Sequence, residues 1–272
     1  MSLVFACIAP HGGEVIPELA ADLDRMARTR AAMKELGRRC ARARPDTVVV
    51  LTPHGMVVQG AVSLGETKAA AGVLGERPPA RVSAVFETDI ELAQSIAEEA
   101  SQQNVPIARL VAEEKDAMLP LDWGALVPLW FLAHPVVPRP KVVVLAPDRG
   151  LPRETLVRCG LAIARAARAS GRRVALVASC DQGHAHDPHG PYGYDPAAPE
   201  HDEAMCRAIA DDDLASLLEW ENDFLEAAKV DAYWQTIMLL GSIAFPRFEP
   251  ELLSYECPTY FGMAVASFTP VR

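Results

Sequence analysis

Residues 47–55 read Thr-Val-Val-Val-Leu-Thr-Pro-His-Gly, an apolar run that stops at a proline and delivers a histidine into a turn. A β-branched run of this length predicts a strand buried on both faces, the kind found inside parallel sheets covered by helices. The proline fixes the approach of the chain, and the glycine lets the backbone turn sharply beside the imidazole. The pattern recurs. Leu3 to Ile8 leads through Ala-Pro to His11, and Val177 leads through Ala-Ser-Cys-Asp-Gln-Gly to His184.

Outward from these three runs, strands are predicted at 81–86, 141–146 and 173–179, with two more near the end at 253–255 and 262–268. Helical periodicity falls at 17–39, 89–100, 154–169, 200–210 and 224–240. The Pro/Gly-rich stretches 65–80 and 188–199 are expected to be long loops rather than domain joints. Apolar strands alternating with amphipathic helices predict an α/β fold with a mainly parallel central sheet and helices on both faces. Residues 1–272 are expected to form a single domain.

The composition narrows the function classes. Half of the 272 residues are hydrophobic, enough for one large core, and the formal charge is −10. No basic stripe is visible, which argues against nucleic acid and against acidic membrane surfaces. A small substrate bearing a carboxylate stays open, because one local Arg or Lys can override the global field. The six cysteines are scattered with no CxxC pair, as suits reduced thiols in a reducing compartment. No stretch approaches 18 apolar residues, and the apolar run at the N-terminus is too short for a signal peptide. A cytoplasmic location is therefore expected.

Ligands of open α/β sheets collect at the carboxyl ends of strands. Three of the seven histidines occupy that class of position, which points to a shared metal site. Residues 184–189, His-Ala-His-Asp-Pro-His, are similar at first sight to the HxHxDH cluster of metal-dependent hydrolases. Asp187, however, stands two places before the last histidine instead of directly before it. That alternative is minor, and His186 and His189 are expected in solvent.

The strand-ending His11 and His54 resemble the two histidine ligands of the class III extradiol dioxygenases, the protocatechuate 4,5-dioxygenase type. Residues 121–129, Leu-Asp-Trp-Gly-Ala-Leu-Val-Pro-Leu, are similar to that family's Asp-His-Gly-x-x-Val-Pro-Leu stretch. The strand leading to His184 resembles the one bearing the family's acid/base histidine. Glu200-His-Asp202 resembles a helix-opening Glu-x-Asp, and Val230-Asp231 falls where the family has Val-Glu on a helix. Two departures stand out: Trp123 occupies the place of a substrate-side histidine, and Asp231 that of a ligand Glu.

The resemblance implies a non-haem Fe(II) centre of His11, His54 and Asp231, with Glu226 as the fallback carboxylate. Zinc or another divalent ion can occupy the same donors. It implies a small catechol- or aminophenol-type substrate and O₂, with His184 as general acid/base. Trp123 is expected on the substrate side. The Gly-Pro-Tyr-Gly-Tyr run at 190–194 is either a plain turn-rich loop or a ring-stacking wall, with Tyr192 as the contacting residue. The resemblance also implies a homo-oligomer, with or without a small second subunit. A relative that holds the metal as a binding or redox module without cleaving rings is the alternative that Trp123 keeps open.

Overall fold

Alternate residues of one strand pack into two different cores. In the run at 47–51, Val49 and Leu51 join one buried cluster, while Val48 and Val50 join the other. A strand with two apolar faces needs a layer on each side of its sheet, and the rest of the chain supplies both.

The computed structural model describes residues 3–77, 80–114, 116–244 and 246–271. In chain order the elements are β1 (Leu3–Ala9), α1 (Ala27–Ala43), β2 (Thr47–Leu51), β3 (Val62–Gly65), β4 (Ala69–Arg77), β5 (Ala80–Glu87), α2 (Ile90–Gln102), β6 (Ile107–Leu110), β7 (Leu119–Pro120), α3 (Trp123–Leu132), β8 (Lys141–Pro147), α4 (Arg153–Ser170), β9 (Val174–Ser179), α5 (Ala197–Ala210), α6 (Asn222–Ala227), α7 (Tyr233–Ile243), β10 (Phe248–Glu256) and β11 (Met263–Pro270). The main sheet has eight strands in the order β10-β11-β1-β9-β2-β8-β3-β6. Its middle is parallel, with β9 between β1 and β2, and β8 beyond β2. The margins are antiparallel at β11 and β3. Helices α2, α4 and α7 supply residues to one core, whereas α1 and α3 supply the other. The α/β class and the mainly parallel centre thus match the sequence pattern.

Three expectations are corrected. The stretch 65–80 is not a loop over its described residues, because β4 begins at Ala69 and pairs antiparallel with β5. With β7 it makes a separate sheet of three strands. The helix predicted at 17–39 starts only at Ala27, after a short 3₁₀ turn at Pro17–Leu19. Leu23, inside the stretch read as helical, is exposed. The helix predicted at 224–240 is two helices. Lys229 adopts a left-handed conformation with φ 53°, which an L-residue inside a helix does not take. The chain stops at Ala227 and restarts at Tyr233, so Asp231 lies in the gap between helices.

Among the described residues no helix is long and apolar enough to cross a membrane. The arrangement of the middle strands decides where side chains can meet. Neighbouring strands run about 4.8 Å apart, so the residues just beyond β1, β9 and β2 emerge side by side at one sheet edge.

Candidate metal centre

Each of those three strand ends carries a chemistry-bearing residue. His11 comes after β1, Asp181 and His184 after β9, and His54 after β2. The gap before α7 brings Asp231 over the same edge. His54 Nε2 lies 3.2 Å from His11 Nε2 and 3.1 Å from Asp231 Oδ2. His11 Nε2 lies 3.3 Å from the same carboxylate oxygen. These are the donors that could jointly hold a metal ion among the described residues. The His11 and His54 rings meet edge-on at 89°, so each directs a nitrogen toward the shared point.

The geometry passes a test independent of any family. Ligand atoms about 2.0–2.2 Å from one ion, at adjacent positions, stand roughly 3–3.5 Å apart. The three edges here fall in that interval. Hydrogen bonds alone serve the cluster poorly, because two imidazole nitrogens and a carboxylate oxygen are all acceptors unless protonated. The other oxygen of Asp231, Oδ1, is buried with no partner among the described residues. Convergent lone pairs without donors are what a cation requires.

The support behind His11 fixes its tautomer. Ser179 Oγ donates to the Gly124 carbonyl, so its oxygen accepts from His11 Nδ1 at 2.9 Å. With Nδ1 carrying the proton, Nε2 of the neutral ring is a lone pair facing the cluster. His54 is placed by Thr52, whose Oγ1 accepts the His54 N–H at 3.3 Å and donates to Asp122 Oδ1 at 2.9 Å. Asp122 caps α3, accepting from the Ala125 N–H at 3.1 Å. A Cβ on Gly124 would stand 2.5 Å from Thr52 Oγ1, so only glycine allows this approach. The Asp-Trp-Gly run thus braces both histidines from one helix start.

Trp123 turns outward. Its ring lies 4.6 Å from that of His54 and is about half exposed. It flanks His54 but is not part of the wall of the neighbouring cleft. That cleft, about 960 Å³, is lined by His54, His184, Tyr192 and Asp231, and by Arg149 and Trp234. Tyr192 meets His184 edge-on at 5.9 Å, and Phe261 stacks on the imidazole at 5.4 Å. His184 Nδ1 faces the Gln182 carbonyl at 2.9 Å. A carbonyl only accepts, so Nδ1 holds the proton and Nε2 is free to accept one. That nitrogen lies 3.9 Å from Asp231 Oδ2.

Glu226 also lines the cleft, but it is exposed and pairs with Lys229 at 2.6 Å, apart from the converging donors. His186 is not in solvent. Its Nε2 pairs with buried Asp202 at 2.9 Å, and burial, which lowers its pKa, is outweighed by Asp202, giving about 9. His189 is exposed, so the 184–189 run does not assemble as a hydrolase-type cluster.

Charge is concentrated around His11. Burial opposes its protonation, yet Asp181 and Asp231 outweigh that effect and hold its pKa at about 9. Burial likewise opposes ionisation of Asp231, and His11 and His54 overcome it, holding the carboxyl well below the usual range. Asp181, which sequence reasoning missed, accepts the His11 backbone N–H at 3.0 Å and places its other oxygen 3.4 Å from His11 Nε2. Its signal was present in the run Ser-Cys-Asp-Gln-Gly-His, directly after a central strand. Burial raises its pKa, with repulsion from Asp231 adding to the effect.

Comparison with known proteins agrees with the architecture. Residues 6–266 match the family described as the catalytic LigB subunit of aromatic ring-opening dioxygenase, and the chain belongs to that family. It is similar to Protein CA_C1420 of Clostridium acetobutylicum, 25% identical over 260 residues that cover 94% of this chain and 55% of that protein. The chain therefore spans about half the length of this relative. Its fold is similar to the crystal structure of uncharacterized protein JW3007 from Escherichia coli K12, with a TM-score of 0.59 and 16% identity, covering 97% of this chain and 99% of that one.

Proposed function

We propose that this member of the aromatic ring-opening dioxygenase family is a non-haem Fe(II)-dependent extradiol enzyme acting on a catechol- or aminophenol-type ring with O₂. The observation that carries the reading is the triangle of His11 Nε2, His54 Nε2 and Asp231 Oδ2, with edges of 3.1–3.3 Å, at the carboxyl edge of the parallel strands. Two imidazoles and one carboxylate on one face would hold the ion and leave neighbouring positions open for ligands. Bound there, Fe(II) supplies a place where an aromatic hydroxyl and O₂ meet and exchange electron density.

The chain's own residues do the rest. His184 offers Nε2 as an acceptor on the cleft side and can take a hydroxyl proton and later return it. The Gln182 carbonyl keeps that tautomer in place. Tyr192 lines the cleft with an aromatic face suited to a flat ring, while Trp123 packs on His54 beside it. Phe261 and Tyr260 pack against the His184 ring. In the family pattern a histidine replaces Trp123, and an indole cannot accept a proton. Proton handling is thereby left to His184.

The experiment is anaerobic loading with Fe(II), then air with a panel of catechols and aminophenols. A coloured ring-fission product and matching O₂ uptake are expected. Trp123 over His54 favours a second reading, a metal-binding module without ring cleavage. Stoichiometric metal binding with no O₂ uptake across the panel selects it.

A further inference from the structure

The three donors do not exhaust the charge at this centre. Asp181 is 3% exposed, and it is not drawn there by any guanidinium or ammonium group among the described residues: its nearest cationic candidate is His11 itself. Two carboxylates, Asp181 and Asp231, therefore bracket a single imidazole nitrogen at 3.4 and 3.3 Å. Burying two like charges so close is costly unless a cation compensates both. A divalent ion, with both histidines neutral, cancels both.

Asp181 does not extend the ligand triangle, since the converging set is His11, His54 and Asp231. Asp181 is not among the residues that line the cleft, yet its second oxygen lies 3.4 Å from the same His11 Nε2 that faces the other donors. Its Oδ1 fixes the backbone of His11 through the 3.0 Å bond from the N–H, and its second oxygen faces the ring edge. It thus touches the histidine at both ends, and the histidine is in turn locked by Ser179.

We propose that Asp181 is a fourth residue of the metal centre, a positioning carboxylate that orients His11 and supplies the second negative charge balancing a divalent ion. This rests on the reading of His11, His54 and Asp231 as metal donors. Asp231 supplies the first charge and reaches the ion's place. Asp181 supplies the second from beside His11 Nε2, at 3.4 Å. The longer-range carboxylate Asp122 is already committed to the start of α3 and to Thr52. A centre so balanced favours a divalent over a monovalent cation.

The test is Asp181→Asn, which keeps an oxygen for the His11 N–H and removes only the charge. Metal-stripped full-length parent and variant are titrated with Zn²⁺ by calorimetry, and both are melted with and without the ion. Zn²⁺ affinity is expected to fall about 10–100-fold, the usual effect of changing a residue behind a metal ligand. The rise in melting temperature that the ion produces is expected to shrink along with the affinity. Asp181→Glu, which restores the charge, should recover most of the affinity. Unchanged Zn²⁺ affinity in Asp181→Asn overturns the proposal. So does a lowered ion-free melting temperature with the parent's ion-induced gain intact, the mark of a merely structural residue. If the Asn variant does not fold, Asp181→Ser is read by the same criteria. Should the parent itself bind no Zn²⁺, the metal reading of the three donors fails, which is a separate result.

Discussion

Two histidine–carboxylate clusters lie close together in this protein, and they are built on opposite principles. Around Asp202, donors meet acceptors. The Gly183 N–H and the Tyr255 hydroxyl donate to it at 2.7 Å, and the rings of His186 and His201 lie against it at 2.9 Å. A Cβ on Gly262 would come within 1.8 Å of it, so the backbone is pressed onto the carboxylate. Around Asp231, once both rings are neutral, acceptors meet acceptors, and one oxygen has no partner among the described residues. Residue types are nearly the same in both. What separates a brace from a candidate metal centre is whether the carboxylate's lone pairs are answered by the protein.

The largest expected effect comes from that difference. His54→Ala or Asp231→Ala should abolish stoichiometric Zn²⁺ or Fe(II) binding, whereas Glu226→Ala, altering an exposed pair, should leave it intact. Metal analysis after dialysis reads this directly. If Glu226→Ala alone loses the ion, the carboxylate assignment moves.

His184→Ala comes next. Turnover should drop about 10²–10⁴-fold, as for loss of a general acid/base, with the metal retained. Metal loss in this variant would show that His184 is itself a donor.

Asp202→Ala sharpens the comparison from the other side. Removing one partner of a buried, ion-paired network costs about 3–5 kcal/mol. Denaturant unfolding should show a loss of that order, while the folded fraction still takes up one ion. Loss of binding at unchanged stability would blur the distinction between the clusters.

A pH effect should separate the ion-free and loaded proteins. His11 has a pKa of about 9, above its ordinary 6.5. Its proton thus stabilises the ion-free fold fully below about pH 6.5, and that support is lost as pH rises through 9. In the loaded protein the ion replaces the proton, so this loss disappears. Apparent ion affinity should climb with pH up to about 9 and then level. Melting curves across pH 6–10 with and without Zn²⁺ check both trends.

The smallest effect belongs to Trp123, which is about half exposed. Trp123→Ala should change stability by no more than about 0.5 kcal/mol and act on KM more than on metal content.

Much of this architecture was legible in the sequence because its parallel strands are apolar on both faces. Runs such as 47–51 and 174–179 announce themselves, and each leads to a residue of the site. The order β1-β9-β2 was not legible, although it is what brings three strand ends together. Asp231 was expected beside the two histidines, where it lies, but on a helix instead of in a gap, because a left-handed Lys229 leaves no trace in periodicity. The strand β4 was hidden by its Gly- and Ala-rich composition, since small residues carry little strand signal. Asp181 was passed over because an acid in a loop ordinarily faces water, and only tertiary packing shows that this one is buried against His11.

Anomalous diffraction from crystals of the protein loaded with Zn²⁺ tests the metal centre with the fewest intervening steps. One strong peak is expected, bounded by His11 Nε2, His54 Nε2 and Asp231 Oδ2, at about 2.0–2.2 Å from each. A peak at the His186–Asp202 cluster or at cysteine sulfur, or no ordered peak at all, would contradict the assignment.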